Sequence, residues 1–195
     1  MQPKTGNRSF LGATVLVTLL SVAAPVFGGG LPAARWDTMD GSADWTQAVV
    51  AALDGPASAL IETVPRDIER WCPAFERSDP DGRRAFWVGL VSALAGHEST
   101  WQPEISDSEG RWHGLLQISP QTAEGYGCDA TDADALKDAA SNLACGLRIM
   151  AETVTRDGVV SEGGAGVAAD WAPFADAEKH ADMVAWVRAQ SYCAE

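Results

Sequence analysis

Few residues in this chain have the type and spacing to do chemistry. The clearest is Glu98, in Gly96-His97-Glu98-Ser99 at the end of an apolar run. A carboxyl there is disfavoured as an anion, because a helix C-terminus carries partial negative charge and an apolar setting removes hydration. Such a carboxyl holds its proton to higher pH and can serve as a general acid. His97-Glu98 also invites a zinc-protease reading, but the second histidine of H-E-x-x-H is replaced by Trp101, so that reading fails. There is no G-x-S-x-G and no C-x-x-C. Gly163-Gly164-x-Gly166 has neither the spacing nor the context of a phosphate cradle and reads as a loop. His113 and His180 read as ordinary polar residues. Trp87, Trp101 and Trp112 lie close to Glu98 in sequence, and the chain has eight Trp in all. Indole faces can pack on sugar rings, so a desolvated glutamate among tryptophans points towards glycoside chemistry. The bland alternative is a core filled with tryptophan and a glutamate turned to water.

The elements that must position Glu98 follow from periodicity. Residues 83–99 form the strongest helix, with Phe86, Leu90, Val91 and Leu94 on its core face. Residues 104–113 are polar and turn-rich, and 114–118 (GLLQI) form a short apolar run. Ser119-Pro120 is an N-cap followed by proline at the first helical position. A long helix is expected over 133–156, capped by Thr131 or Asp132, with Leu136, Leu143, Leu147 and Met150 inward. A last helix spans 176–190, with Met183, Val184 and Val187 inward. Earlier, 43–53 reads as a short helix and 57–71 as helical with a break at Pro65; 73–82 and 158–170 read as loops. The picture is one mainly α domain over 57–195, preceded by an irregular leader over 29–56.

The 195 residues carry 27 acids against 14 bases, for a net charge of −13. That balance excludes an ordinary nucleic-acid binder and disfavours an anionic membrane surface. Residues 1–9 carry Lys4 and Arg8, residues 10–27 are apolar or small, and three glycines follow. This is the order of a secretory signal peptide, 1–28, cleaved near Gly28. The apolar core is too short to span a bilayer comfortably and ends in no cysteine, so neither a membrane anchor nor a lipid anchor is expected. Export makes the four cysteines a disulfide framework. Three pairings are possible. Cys128–Cys145, closing a local loop, with Cys72–Cys193, joining the domain's start to its end, is the favoured one. No metal or other cofactor is implied.

The segment LAGHESTWQPEISDSEGRWHGLLQIS, residues 94–119, resembles the soluble-lytic-transglycosylase (SLT) family. The matching features are Glu98-Ser99 at a helix end, Pro103, the Gly114-Leu115-Leu116-Gln117-Ile118 run, and Asn142-Leu143 followed by Gly146 on the long helix. The resemblance covers roughly residues 85–155. It implies a goose-type-lysozyme-like fold with a small irregular β/turn region, and peptidoglycan glycan strands as substrate. It further implies Glu98 as acid/base for cleavage between N-acetylmuramic acid and N-acetylglucosamine with a 1,6-anhydro end. Ser99 and Gln117 become candidate substrate-binding residues, and Tyr126 a candidate cleft residue. The family's late Ala-Tyr-Asn-type motif is missing from Gly164–Trp171, so Trp171 or Asp170 is expected to take over part of its role. Arg111 and Arg148 are candidate cleft cations for an anionic polymer. A muramidase that delivers water and a catalytically silent peptidoglycan-binding scaffold are the rival readings. The expected location is periplasmic or secreted, with protein partners unspecified.

Overall fold

The computed structural model describes residues 30–194 together with Met1, so the expected signal peptide and its cleavage near Gly28 fall outside the described chain. Seven α-helices follow one another among the described residues: α1 Ser42–Leu53, α2 Ala59–Glu62, α3 Ile68–Trp71, α4 Pro80–Ser99, α5 Pro120–Gly125, α6 Ala139–Asp157 and α7 Ala177–Arg188. Short 3-10 turns join several of them. Extended pairing among the described residues is limited to two isolated antiparallel bridges, Ser106 with His113 and His113 with Ile118. The expected mainly α fold with a small irregular β/turn region is what forms.

Helix α4 is the axis of the fold. It starts at Pro80, three residues before the periodicity suggests, because the Asp79 carboxylate caps it by accepting from the Gly82 N–H at 2.9 Å. Proline at the first helical position loses no hydrogen bond there. From Ala85 to Ala95 every residue is buried. The helix is therefore enclosed on all sides, with α1, α2 and α7 packed against it. Each large apolar side chain removed from water there contributes about 1.5–3 kcal/mol. Arg83 finishes the neighbouring ends: its guanidinium donates to the carbonyls of Ile61, Phe75 and Glu76.

Three sequence expectations are corrected. Residues 31–56 are not a leader outside the domain. Trp36, Trp45, Val49 and Leu53 are core residues, α1 packs on α6, and the Trp36 indole donates to Thr46 Oγ1 at 2.9 Å. The 57–71 segment forms α2 and α3 with the expected break at Pro65. The long helix begins at Ala139 with Asp138 as its cap, accepting from the Ser141 N–H. Asp132 instead accepts from the N–H groups of Asp134 and Ala135 and so caps the 3-10 turn Ala135–Lys137. The 158–170 loop holds 3-10 turns and is pinned by Asp67, whose carboxylate accepts from the N–H groups of Val160, Ser161 and Glu162. Disulfides join Cys72 to Cys193 and Cys128 to Cys145.

Candidate active site

Glu98 occupies the last turn of α4. The helix stops at Ser99 because Thr100 turns left-handed, at φ 53°, and Trp101 follows at φ 56°. Non-glycine residues seldom accept this conformation, and each costs on the order of 1–2 kcal/mol. Tertiary contacts hold it in place: the Trp101 indole lies against Gly96 and donates to the Ser92 carbonyl at 2.9 Å. The remaining left-handed non-glycine residue among those described is Gln117, at φ 46°. Backbone strain thus gathers at the end of α4 and on the turn that faces it.

That turn, Gly114–Ile118, is bound to the helix ends around it. The Ser99 hydroxyl donates to the Ala95 and Leu115 carbonyls, at 3.1 and 2.9 Å. Asn142, fully buried on α6, accepts from the Leu116 N–H and donates to the carbonyls of His113 and Leu136, all within 3.0 Å. The Trp171 indole donates to the Leu116 carbonyl at 2.9 Å. Leu115, Leu116 and Ile118 fill the space beneath. Gly114 must be glycine: its φ is 77°, and a Cβ would lie 2.2 Å from the Leu136 carbonyl oxygen. Gly146 must be glycine for closeness instead, since a Cβ would lie 2.2 Å from a Leu116 methyl.

The Glu98 side chain is half-buried, and no hydrogen bond to its carboxyl is found among the described residues. Burial raises its pKa from 4.5 to about 7, and the Lys179 ammonium on α7 partly opposes this. The raised value has the cause expected from the sequence: an ionised carboxylate loses hydration, here at a helix end whose dipole offers it nothing. The group can hold a proton near neutrality and, with Lys179 nearby, can also release it. Immediately beside it, His97 Nε2 lies 2.7 Å from Asp182 Oδ2, and Asp182 is also bound by the Arg35 guanidinium. The far ends of the described chain are thereby fixed to α4 at the catalytic candidate.

The other expected site residues take different places. Ser99 is 3% exposed, with its hydroxyl proton committed to backbone carbonyls. It positions the turn and is not open to a ligand. Trp171 is 4% exposed and acts in the same way. Gln117 remains half-exposed; its amide N–H groups go to the Gly114 and Ile105 carbonyls, leaving its amide oxygen directed to no described partner. Tyr126 donates to Asp170 at 3.2 Å. The candidate cleft residue Tyr126 and Asp170, one of the two residues expected to replace the missing motif, are therefore occupied with each other, and burial raises both pKa values. Arg148 donates to the Tyr126 carbonyl and Arg111 lies over Trp112, so neither is the cation that acts on Glu98. Trp87 is a core residue whose indole donates to the Leu60 carbonyl. No local pattern in the sequence links Lys179 to Glu98. Asn142 stands in the Asn142-Leu143 motif, and a polar residue inside the apolar face of α6 is a usable signal for its buried role. Among the described residues no group of His, Cys, Asp and Glu is placed to hold a metal ion.

Comparison with known proteins places this geometry. Residues 80–163 match the family model of the transglycosylase SLT domain, a span that opens at the first residue of α4 and includes Glu98, the Gly114–Ile118 turn and Asn142. No curated protein sequence matches the chain. Among solved structures, a mutant of Bd0314 DslA superposes with a TM-score of 0.75 at 28% identity, over 83% of this chain and 97% of that one. The wild-type form 2 of the same protein gives 0.74 at 28%, over 83% and 98%. A second mutant gives 0.74 at 27%, over 83% and 97%. In both mutants a glutamate is replaced by glutamine, at two positions eleven apart. The matched span and the shared fold show that residues 80–163 of this chain form a transglycosylase SLT domain, the domain of lytic transglycosylases that act on peptidoglycan.

Proposed function

We propose that the chain cleaves the β-1,4 bond between N-acetylmuramic acid and N-acetylglucosamine with Glu98 as its single acid/base, leaving a 1,6-anhydro end. The observation that carries this reading is the half-buried, unpartnered Glu98 carboxyl with a pKa of about 7. Protonated, it donates to the glycosidic oxygen as that bond breaks. Ionised, it accepts the proton of the muramic C6 hydroxyl as that oxygen bonds to C1. The proton balance closes on one residue, and the Lys179 ammonium favours the intermediate carboxylate. An internal hydroxyl held close to C1 makes an activated water unnecessary. Most glycosidases instead use two carboxylates.

A second reading has one observation in its favour. The two mutated glutamates of the DslA structures are eleven positions apart, and so are Glu98 and Glu109 in this chain. Glu109 lies on the exposed turn after Ile105 and pairs with Arg111 at 3.1 Å. A base at Glu109 that activates water would make the enzyme a muramidase. Digestion of purified sacculi by the wild type, Glu98→Gln and Glu109→Gln, read by mass spectrometry, separates the readings. Anhydro-muropeptides from the wild type and Glu109→Gln, with none from Glu98→Gln, support the proposal. Reducing ends lost in both variants support the muramidase. Binding without cleavage by the wild type supports the silent scaffold.

The proposal includes export through residues 1–28 and action in the periplasm or outside the cell. Two disulfides fit an oxidising compartment, and no helix among the described residues is long and apolar enough to cross a membrane.

A further inference from the structure

We propose that the turn around Asp107 is a saccharide-stacking subsite, with Trp112 as its platform. The inference rests on the peptidoglycan reading and names a place where the glycan is held. Its starting point is a contrast among the tryptophans. Trp36, Trp71 and Trp87 are fully buried, and Trp45 and Trp171 nearly so, whereas Trp112 is 40% exposed. The indole N–H groups of Trp36, Trp71, Trp87, Trp101 and Trp171 donate to Thr46, Ser161, Leu60, Ser92 and Leu116. The Trp112 indole N–H, like those of buried Trp45 and half-buried Trp186, meets no acceptor among the described residues, and of these three rings only that of Trp112 is exposed.

The exposed ring is not loosely held. The Arg111 guanidinium lies 4.2 Å from its centroid and covers one face. Arg111 is itself held by Glu109 at 3.1 Å and Asp107 at 3.7 Å. The Asp107 carboxylate accepts from the N–H groups of Arg111, Trp112 and Glu109, and the Asp107 N–H donates to the Trp112 carbonyl. These bonds to backbone also hold the Asp107 carboxyl below the usual carboxylate range. One indole face is braced and the other is left open, with its orientation already set.

The turn is also fixed relative to Glu98. Ser106 pairs with His113 and His113 with Ile118. The same Gly114–Ile118 turn carries Gln117 and is tied to the end of α4 by Ser99. A rigid aromatic face joined in this way to the catalytic helix suits a pyranose ring, whose C–H face packs on indole while its hydroxyl groups stay in water. Holding the ring on a preset platform costs little ordering on binding. Because the turn is linked through His113, Ile118 and Ser99 to the helix that carries Glu98, the occupant we name is a sugar of the peptidoglycan strand.

The test is the affinity of an intact peptidoglycan tetrasaccharide, measured by calorimetry in the Glu98→Gln background so that nothing is cut. Adding Trp112→Ala is expected to weaken binding about tenfold, and Trp112→Phe less than about threefold, since a phenyl ring keeps a face. Arg111→Ala is expected to weaken it about threefold by freeing the ring. Melting temperatures should stay level, because the ring is exposed; were Trp112→Ala to misfold, Trp112→Phe and Arg111→Ala still decide. Unchanged affinity in folded Trp112 and Arg111 variants overturns the subsite and leaves the peptidoglycan reading intact. No tetrasaccharide binding by Glu98→Gln alone overturns that reading and the subsite with it.

Discussion

Replacing Glu98 by Gln should do more than stop catalysis; it should change how stability depends on pH. The folded protein holds the Glu98 proton up to about pH 7, whereas the carboxyl's ordinary value is 4.5. Folded wild type therefore binds more protons than the unfolded chain between these values, and its stability from this group falls as pH rises through that window. The contribution is fully present below pH 4.5 and lost above about 7. At about 1.4 kcal/mol per pH unit, the loss is roughly 3 kcal/mol. Glutamine resembles the neutral acid in shape and does not titrate. The stability of Glu98→Gln minus that of the wild type should then be near zero at pH 4, rise through the window, and level off near 3 kcal/mol at pH 8. Titrating groups not coupled to Glu98 cancel in this difference. For a chain of this size it corresponds to about 6–12 °C in Tm. Urea unfolding of both proteins between pH 4 and 9, with disulfides intact, measures it. A difference that stays flat across the range would refute the argument that Glu98 is buried at a cost, and with it the ground for calling it a general acid. The rate on sacculi should hold at lower pH and fall as pH rises through about 7, where the folded protein loses the acid form.

Asn142→Ala should destabilise by about 3–5 kcal/mol, because three buried backbone groups lose their partners at once; denaturant melts beside Asn142→Asp check it, and a cost below 1 kcal/mol would mean the turn holds without it. Thr100→Gly should stabilise by up to about 1 kcal/mol, since glycine accepts a φ of 53° without strain; a loss of stability on thermal melting contradicts this. Removing Cys72–Cys193 should cost more than removing Cys128–Cys145, about 4–5 against 3 kcal/mol, as the sequence separations are 121 and 17; paired alanine variants in urea compare them.

Much of the site was legible in the sequence because its signals are local. Glu98 announces itself through its immediate neighbours, being the one carboxylate at the end of an unbroken apolar helix before a proline. The helical fold follows from hydrophobic period, and the cap of α5 from Ser119-Pro120, whereas the caps of α4 and α6, Asp79 and Asp138, depended on which nearby N–H groups each carboxylate reaches. The disulfide framework follows from cysteine number and the absence of metal spacing.

Other features depend on residues far apart in the chain, and only the tertiary structure decided them. Residues 31–56 read as a leader because their composition is irregular, yet Trp36 and Trp45 are core once α1 lies on α6. Ser99 and Trp171 have the chemistry of ligand contacts, but packing buries them and commits their protons to the turn carrying Gln117. Lys179 reaches Glu98 across some eighty residues of chain through the docking of α7 on α4. Among the tryptophans, sequence proximity gave Trp87 and Trp112 equal claim. Burial separates them, since hydrophobic free energy depends on the surface removed from water and not on residue type.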